Sequence, residues 1–138
     1  MQTASVKWVG DQKFLATGPS AHAVPFDSDR QSNTAPGPME MVLMALGACT
    51  ATDIVLILEK KRQKLVALEV HCSAERAPDP PTVWTKIDVL FRVRGAVEET
   101  AVRHAMHLTE EKYCSVAAML KKTASFTWHY EILPSEGK

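Results

Sequence analysis

The chain has 138 residues, 46% hydrophobic and 23% charged, and its 16 Lys and Arg balance 16 Asp and Glu for a formal net charge of zero. That length fits one domain, residues 1–138, able to bury a core without a disulfide or a metal. A neutral balance excludes the bulk basic charge that drives nucleic-acid binding and leaves only local patches for it.

The first 26 residues read as short strands. "SVKWV" sets Val6 and Trp8 on one face, and "GDQ" turns the chain into "KFLAT". After the turn "GPS", "HAVPF" sets Val24 and Phe26 on one face, and Pro25 predicts an edge strand. The polar stretch "DSDRQSNTAPG" at 27–37 reads as a loop and holds Arg30.

A helix is predicted from Pro38, because proline suits the first helical position. Glu40 falls in the first turn, where the macrodipole favours a carboxylate. The helix is expected to run to about Arg62, with "EKKRQK" placing cations at its C-terminal end. Its run Met41–Leu58 is long and apolar enough to suggest a membrane span. Asp53 within the run would cost about 2.5–3.5 kcal/mol at a bilayer centre, and the flanking strands alternate as in a soluble protein, so no membrane partner is expected.

"LVALEVHCSAE" sets Val66, Leu68, Val70, Cys72 and Ala74 on one face, and "VWTKIDVLFRVR" does the same with Val83, Ile87, Val89, Phe91 and Val93. Such one-sided strands predict an antiparallel sheet with one wet face. "VEETAVRHAMHLTEEK" carries Val97, Ala101, Ala105 and Leu108 at helical spacing. A shorter helix is expected from Cys114, and "SFTWHYEIL" closes as a strand with Phe126, Trp128, Tyr130 and Ile132 inward. The tail "PSEGK" is expected to be loose.

A helix of about 25 residues is roughly 37 Å long, close to the full diameter of a compact domain of this size. Its apolar faces need cover on nearly every side, and a second copy of the chain supplies it. The expectation is an intimate homodimer whose interface resembles a core cut in half.

The three cysteines Cys49, Cys72 and Cys114 form no CxxC pair and match no common zinc spacing. An odd count, with no apolar leader in "MQTASVKWVG", predicts a reducing compartment, the cytoplasm. Cys49 lies mid-helix, where the bland reading is a small core hydrophobe and where a thiolate would need a nearby cation. Cys114 stands where a helix starts, and by local physics it is the better candidate for an acidic thiol. Cys72 points to the core face of a strand. Asp53 is four residues after Cys49 and shares its face; it either orients a cation beside the thiol or bonds a neighbouring backbone or lysine. His104, His107 and Glu111 have helical spacing that could hold a metal, but a solvated helix face accounts for them, and no metal or cofactor is expected.

"PGPMEMVLMALGACTATDIVLILEKKRQ" followed by "EKYCSVAAMLKK" resembles the OsmC/Ohr family, and the resemblance extends over nearly the whole chain. It implies an α+β fold in which antiparallel sheets wrap long central helices in an intertwined homodimer. It also implies a thiol-dependent peroxidase acting on organic hydroperoxides, with Cys49 as the peroxidatic and Cys114 as the resolving cysteine. An arginine in the loop before the central helix sits by the reactive thiol in family enzymes, and Arg30 occupies that loop here. A glutamate usually follows the helix-leading proline and pairs that arginine. Met39 stands there in this chain, which leaves Glu40, from its own subunit or the partner, or Asp53 to hold Arg30.

The resulting expectation is an Arg30-stabilised Cys49 thiolate that reduces the peroxide, a disulfide with Cys114, and regeneration by a dithiol reductant. A greasy substrate tail gains about 0.8 kcal/mol per buried methylene against the apolar helix, which favours organic peroxides. The competing readings are a dimer that binds a small apolar or thiol ligand without turnover, and a redox sensor.

Overall fold

The computed structural model describes residues 1–134 and has the element order β1(Ser5–Trp8), β2(Lys13–Thr17), β3(Ala23–Asp27), α1(Pro38–Lys60), β4(Lys64–Arg76), β5(Trp84–Ala96), α2(Glu99–Leu108), a π-helical turn (Thr109–Tyr113), α3(Ser115–Leu120) and β6(Ser125–Leu133). Apart from Pro134, the tail expected to be loose lies outside the described residues. The chain divides into two compact units, Met1–Leu43 and Met44–Lys138.

In the first unit β1, β2 and β3 form an antiparallel meander in that order. The edge position of β3 suits Pro25, which has no N–H to donate. Val6 and Trp8 are 65% and 66% exposed, an apolar surface that the single chain leaves uncovered. Asp27, at the end of β3, is fully buried and opens the loop that leads to α1.

Helix α1 begins as the sequence suggests. Pro38 is its first residue, and the Gly37 N–H donates to Glu40 Oε1 at 3.0 Å, one half of a capping box. It ends two residues earlier than expected. Arg62 adopts φ 59°, its N–H donates to the Glu59 carbonyl and the Gln63 N–H to the Leu58 carbonyl. That pair of bonds is a Schellman motif, closed here by an arginine in the left-handed position where glycine is the usual signal. Along α1 only Leu46, Thr50, Ile54 and Leu58 are buried, an i, i+4 stripe. Met44 and Leu56 stay 51% and 60% exposed. Among the described residues α1 is the one helix long and apolar enough to cross a membrane by length and composition.

The second unit carries a three-stranded sheet in the order β4-β5-β6. β4 and β5 pair antiparallel, as their alternation predicts. β6 pairs with β5 in parallel, which corrects the expectation of a wholly antiparallel sheet. The physical reason lies in the connection: α2, the π turn and α3 form a helical crossover that returns the chain to the same end of the sheet. The core face of β5 is the expected one, with Ile87, Val89, Phe91 and Val93 buried. On β4 a bulge between Leu65 and Ala67 shifts the register, so that Leu65 turns in and Val66 is 63% exposed instead of sharing the face of Leu68. Gly95 sits opposite at φ 146°, where a Cβ would stand 2.2 Å from the Lys64 carbonyl oxygen. Only glycine fits that approach.

Candidate active site

Two groups of side chains carry the chemistry expected from the sequence. The first lies in the first unit. Arg30 Nη1 donates to Asn33 Oδ1 at 3.2 Å and to Glu40 Oε1 at 3.4 Å, and Nη2 donates to the Asp27 carbonyl oxygen. Glu40 therefore accepts from both Arg30 and the Gly37 backbone. Gly37 leaves room for this, since a Cβ there would stand 3.3 Å from Arg30 Nη2. The arginine and glutamate side chains are both about half exposed, so the ion pair fixes orientation more than it adds stability.

Asp27 organises this loop. Its carboxylate accepts from Thr34 Oγ1 at 2.7 Å, Thr34 N at 3.0 Å, Asp29 N at 2.9 Å and Ser32 Oγ at 2.8 Å. These bonds, the Thr34 hydroxyl foremost, hold its carboxyl well below the usual carboxylate range. The sequence reading passed over Asp27. An aspartate followed at once by Ser, Asp, Ser and Thr residues is the signal that marks such an acceptor hub.

The second group lies in the second unit. Cys49 and Asp53 project from α1 one turn apart, and Cys114 caps α3. The two sulfurs and a carboxylate oxygen of Asp53 all lie within 4.8 Å of one another. Cys49 is half-buried and Cys114 is 3% exposed.

The π turn sets this meeting. The Cys114 N–H donates to the Thr109 carbonyl at 3.1 Å, an i to i−5 bond that carries one extra residue through the turn. Thr109, fully buried, donates its hydroxyl to Asp53 Oδ2 at 2.5 Å. The partner of Asp53 within this unit is thus a threonine hydroxyl, not the neighbouring backbone or lysine considered above. Thr109 was missed from sequence, although it continues the Ala101, Ala105 stripe, and a hydroxyl on a buried helix face needs a partner.

Cys114 departs from its sequence expectation. The Ala117 N–H does donate to its sulfur at 3.3 Å, as a helix start should provide. Burial nonetheless pushes the thiol up, helped by its hydrogen bond to Cys49 and by the charges of Cys49 and Asp53, to about 12. A six-residue helix offers too little dipole to offset them. Cys114 is therefore a protonated thiol at neutral pH. Cys72 is also pushed up, by burial and then by Asp88, and it packs 3.7 Å from where a Cβ on Gly47 would stand.

A cleft of about 470 Å³ opens beside Asp53, walled by Leu56, Ile57, Leu108 and Tyr113 with Lys60, Lys61 and His104. His104 belongs to that cleft. His107 gathers with Glu110 and Glu111 on the outer side of the α2 end, His107 and Glu111 being exposed.

The sequence pattern of one family, described as OsmC-like protein, matches residues 31–129. The chain belongs to the OsmC-like protein family. The match takes in Cys49, Asp53, Thr109 and Cys114, and it begins one residue after Arg30. The protein YhfA of Escherichia coli strain K12 is 44% identical over 131 residues, which cover 94% of this chain and 97% of that protein. A crystal structure of a hypothetical protein from Aquifex aeolicus VF5 is 26% identical, with a TM-score of 0.88 over 97% of each chain. The family fold extends to an organic hydroperoxide resistance protein from Legionella pneumophila, 11% identical, with a TM-score of 0.64 over 95% of this chain and 96% of that one.

Proposed function

We propose that this protein is a thiol-dependent peroxidase that reduces organic hydroperoxides. The observation that carries the reading is the meeting of Cys49 and Cys114, distant in sequence, with their sulfurs within 4.8 Å. Their different burial divides the work. The half-buried Cys49 meets the peroxide, and the buried Cys114 keeps its proton until it is needed.

In the first step the Cys49 thiolate attacks the terminal oxygen of the hydroperoxide. The O–O bond breaks, the alkoxide takes a proton and leaves as an alcohol, and Cys49 becomes a sulfenic acid. In the second step the Cys114 sulfur displaces hydroxide from that sulfenic acid. Its thiol proton leaves with the hydroxide as water, and a disulfide forms. A dithiol reductant then exchanges with the disulfide and restores both thiols. Arg30, held by Glu40 and the Asp27 carbonyl, is the cation assigned to the Cys49 thiolate. The leucine and isoleucine wall of the cleft beside Asp53 suits an organic tail, worth about 0.8 kcal/mol for each methylene buried.

The working unit of this reading is a cytoplasmic homodimer in which residues 1–138 act as one domain. A second copy supplies cover for the exposed Leu56 and Met44 of α1 and for Val6 and Trp8 of β1. The family match, residues 31–129, crosses the boundary between the two units and so treats the chain around it as one stretch. Three cysteines, all free, suit a reducing compartment.

One equivalent of cumene hydroperoxide added to the reduced protein tests the reading. Loss of two thiols per chain, abolished in Cys49→Ser and strongly slowed in Arg30→Ala, is expected. Unchanged thiols in the wild type would discard the peroxidase and favour a ligand-binding dimer.

A further inference from the structure

Cys49, Asp53 and Cys114 present two sulfurs and a carboxylate oxygen within 4.8 Å of one another. We infer that the reduced site also binds a soft divalent metal ion of the zinc class, with these three residues as its protein ligands. The inference rests on the proposed function in one respect only: the same two thiols serve both, so metal capture would regulate the peroxidase.

The donor set fits the ion. Zinc takes thiolate at about 2.3 Å and carboxylate at about 2.0–2.2 Å, so a tetrahedral site needs donors roughly 3.3–3.8 Å apart. Donors that lie within 4.8 Å of one another reach that spacing with a shift of about 1 Å or less, shared among three side chains. Two of them stand at i and i+4 on one rigid helix, and the third is set by the π turn. Three protein ligands leave a fourth position for water or an exogenous ligand, the arrangement of an open zinc site. Asp53 lines the cleft, which gives the ion a way in.

The groups around the donors match what a bound metal requires. The Thr109 hydroxyl donates to Asp53 Oδ2 and so orients the carboxylate, the kind of partner that stands behind a metal-binding carboxylate. The Ala117 N–H donates to the Cys114 sulfur, a contact that spreads the charge of a bound thiolate. Spacing in the sequence concealed this set, because its members come from the middle of α1 and the start of α3, far apart in the chain.

The charge balances simply. A divalent ion enters, each thiol releases one proton to solvent, and no electron moves. A disulfide between Cys49 and Cys114 has no thiolate to offer, so bound metal and the disulfide exclude each other.

The test uses full-length protein, reduced, desalted and titrated anaerobically with cobalt(II), followed by zinc(II) displacement. The expected result is a near-ultraviolet sulfur-to-cobalt band that saturates at one ion per chain and vanishes on zinc addition. The disulfide form should give no band. Asp53→Asn should weaken cobalt binding at least tenfold, and Cys114→Ser should cut the band to that of a single sulfur. Thr109→Val should weaken binding about tenfold or more, the usual cost of losing a partner behind a ligand. Cys72→Ser and Glu111→Gln should leave the titration unchanged, which separates this site from the third cysteine and from the surface cluster at His107. No band in the reduced wild type overturns the inference, whatever the variants do. A band that persists undiminished in the disulfide form or in Cys114→Ser overturns it too. Thiol loss with hydroperoxide but no cobalt band leaves the peroxidase standing without the metal. A cobalt band without thiol loss does the reverse.

Discussion

Replacing Thr109 with valine removes one hydroxyl and keeps the shape of a fully buried side chain. The hydroxyl donates at 2.5 Å to Asp53 Oδ2, and it is the one hydrogen bond described for that carboxylate. A hydrogen bond to a charged acceptor contributes about 1.5–3 kcal/mol. The added methyl recovers about 0.8 kcal/mol by burial. The net loss expected is therefore about 1–2 kcal/mol, or a melting temperature lower by roughly 3–7 °C for a chain of this size. Denaturant unfolding at pH 7 and fixed protein concentration measures it. The double-mutant cycle with Asp53→Ala isolates the pair, because the second substitution removes the acceptor and should make the first nearly neutral. Single losses that simply add, within about 0.5 kcal/mol, would refute the threonine–aspartate bond as the link between the π turn and α1.

Further outcomes follow from the same geometry. The Cys114 thiol is pushed up to about 12 in the folded protein, against 9.0 for the free group. The unfolded chain gives up that proton first, so stability is full below pH 9 and falls as the pH rises from 9 towards 12. Guanidinium midpoints at pH 8 and pH 10.5 should differ more in the wild type than in Cys114→Ser, and equal differences would reject the assignment. Sedimentation equilibrium should give the mass of two chains for the wild type and of one for Leu56→Asp, a substitution at a position 60% exposed in the single chain. A wild type that sediments as one chain would reject the dimer.

The parts of the fold written in short-range pattern were legible. Pro38 and Glu40 marked the start of α1, and alternation placed Ile87, Val89, Phe91 and Val93 on the buried face of β5. The parts that depend on distant partners were not. Alternation in β6 states which side chains turn inward, yet it is the same for a parallel and an antiparallel neighbour. The bulge that turns Val66 outward depends on Gly95 across the ladder, nearly thirty positions away. Arg62 carries no sign of the left-handed conformation that ends α1. The cysteine pair was legible only through its family resemblance. Local physics alone favoured an acidic Cys114, because the burial and the Cys49 and Asp53 neighbours that reverse the preference come from another helix. Glu40 stood out as a first-turn acid, but its contact with Arg30 depends on a loop whose shape is set by Asp27.

The π turn makes chain length, rather than residue identity, the critical variable between Thr109 and Cys114. One residue fewer would let α2 continue as regular α-helix and swing every later side chain by about 100° around the axis. The second sulfur would then face away from the first with every amino acid of the site still present. Length variation can settle harmlessly in the hairpin loop between β4 and β5, whereas this five-residue segment works as a ruler that has to keep its count.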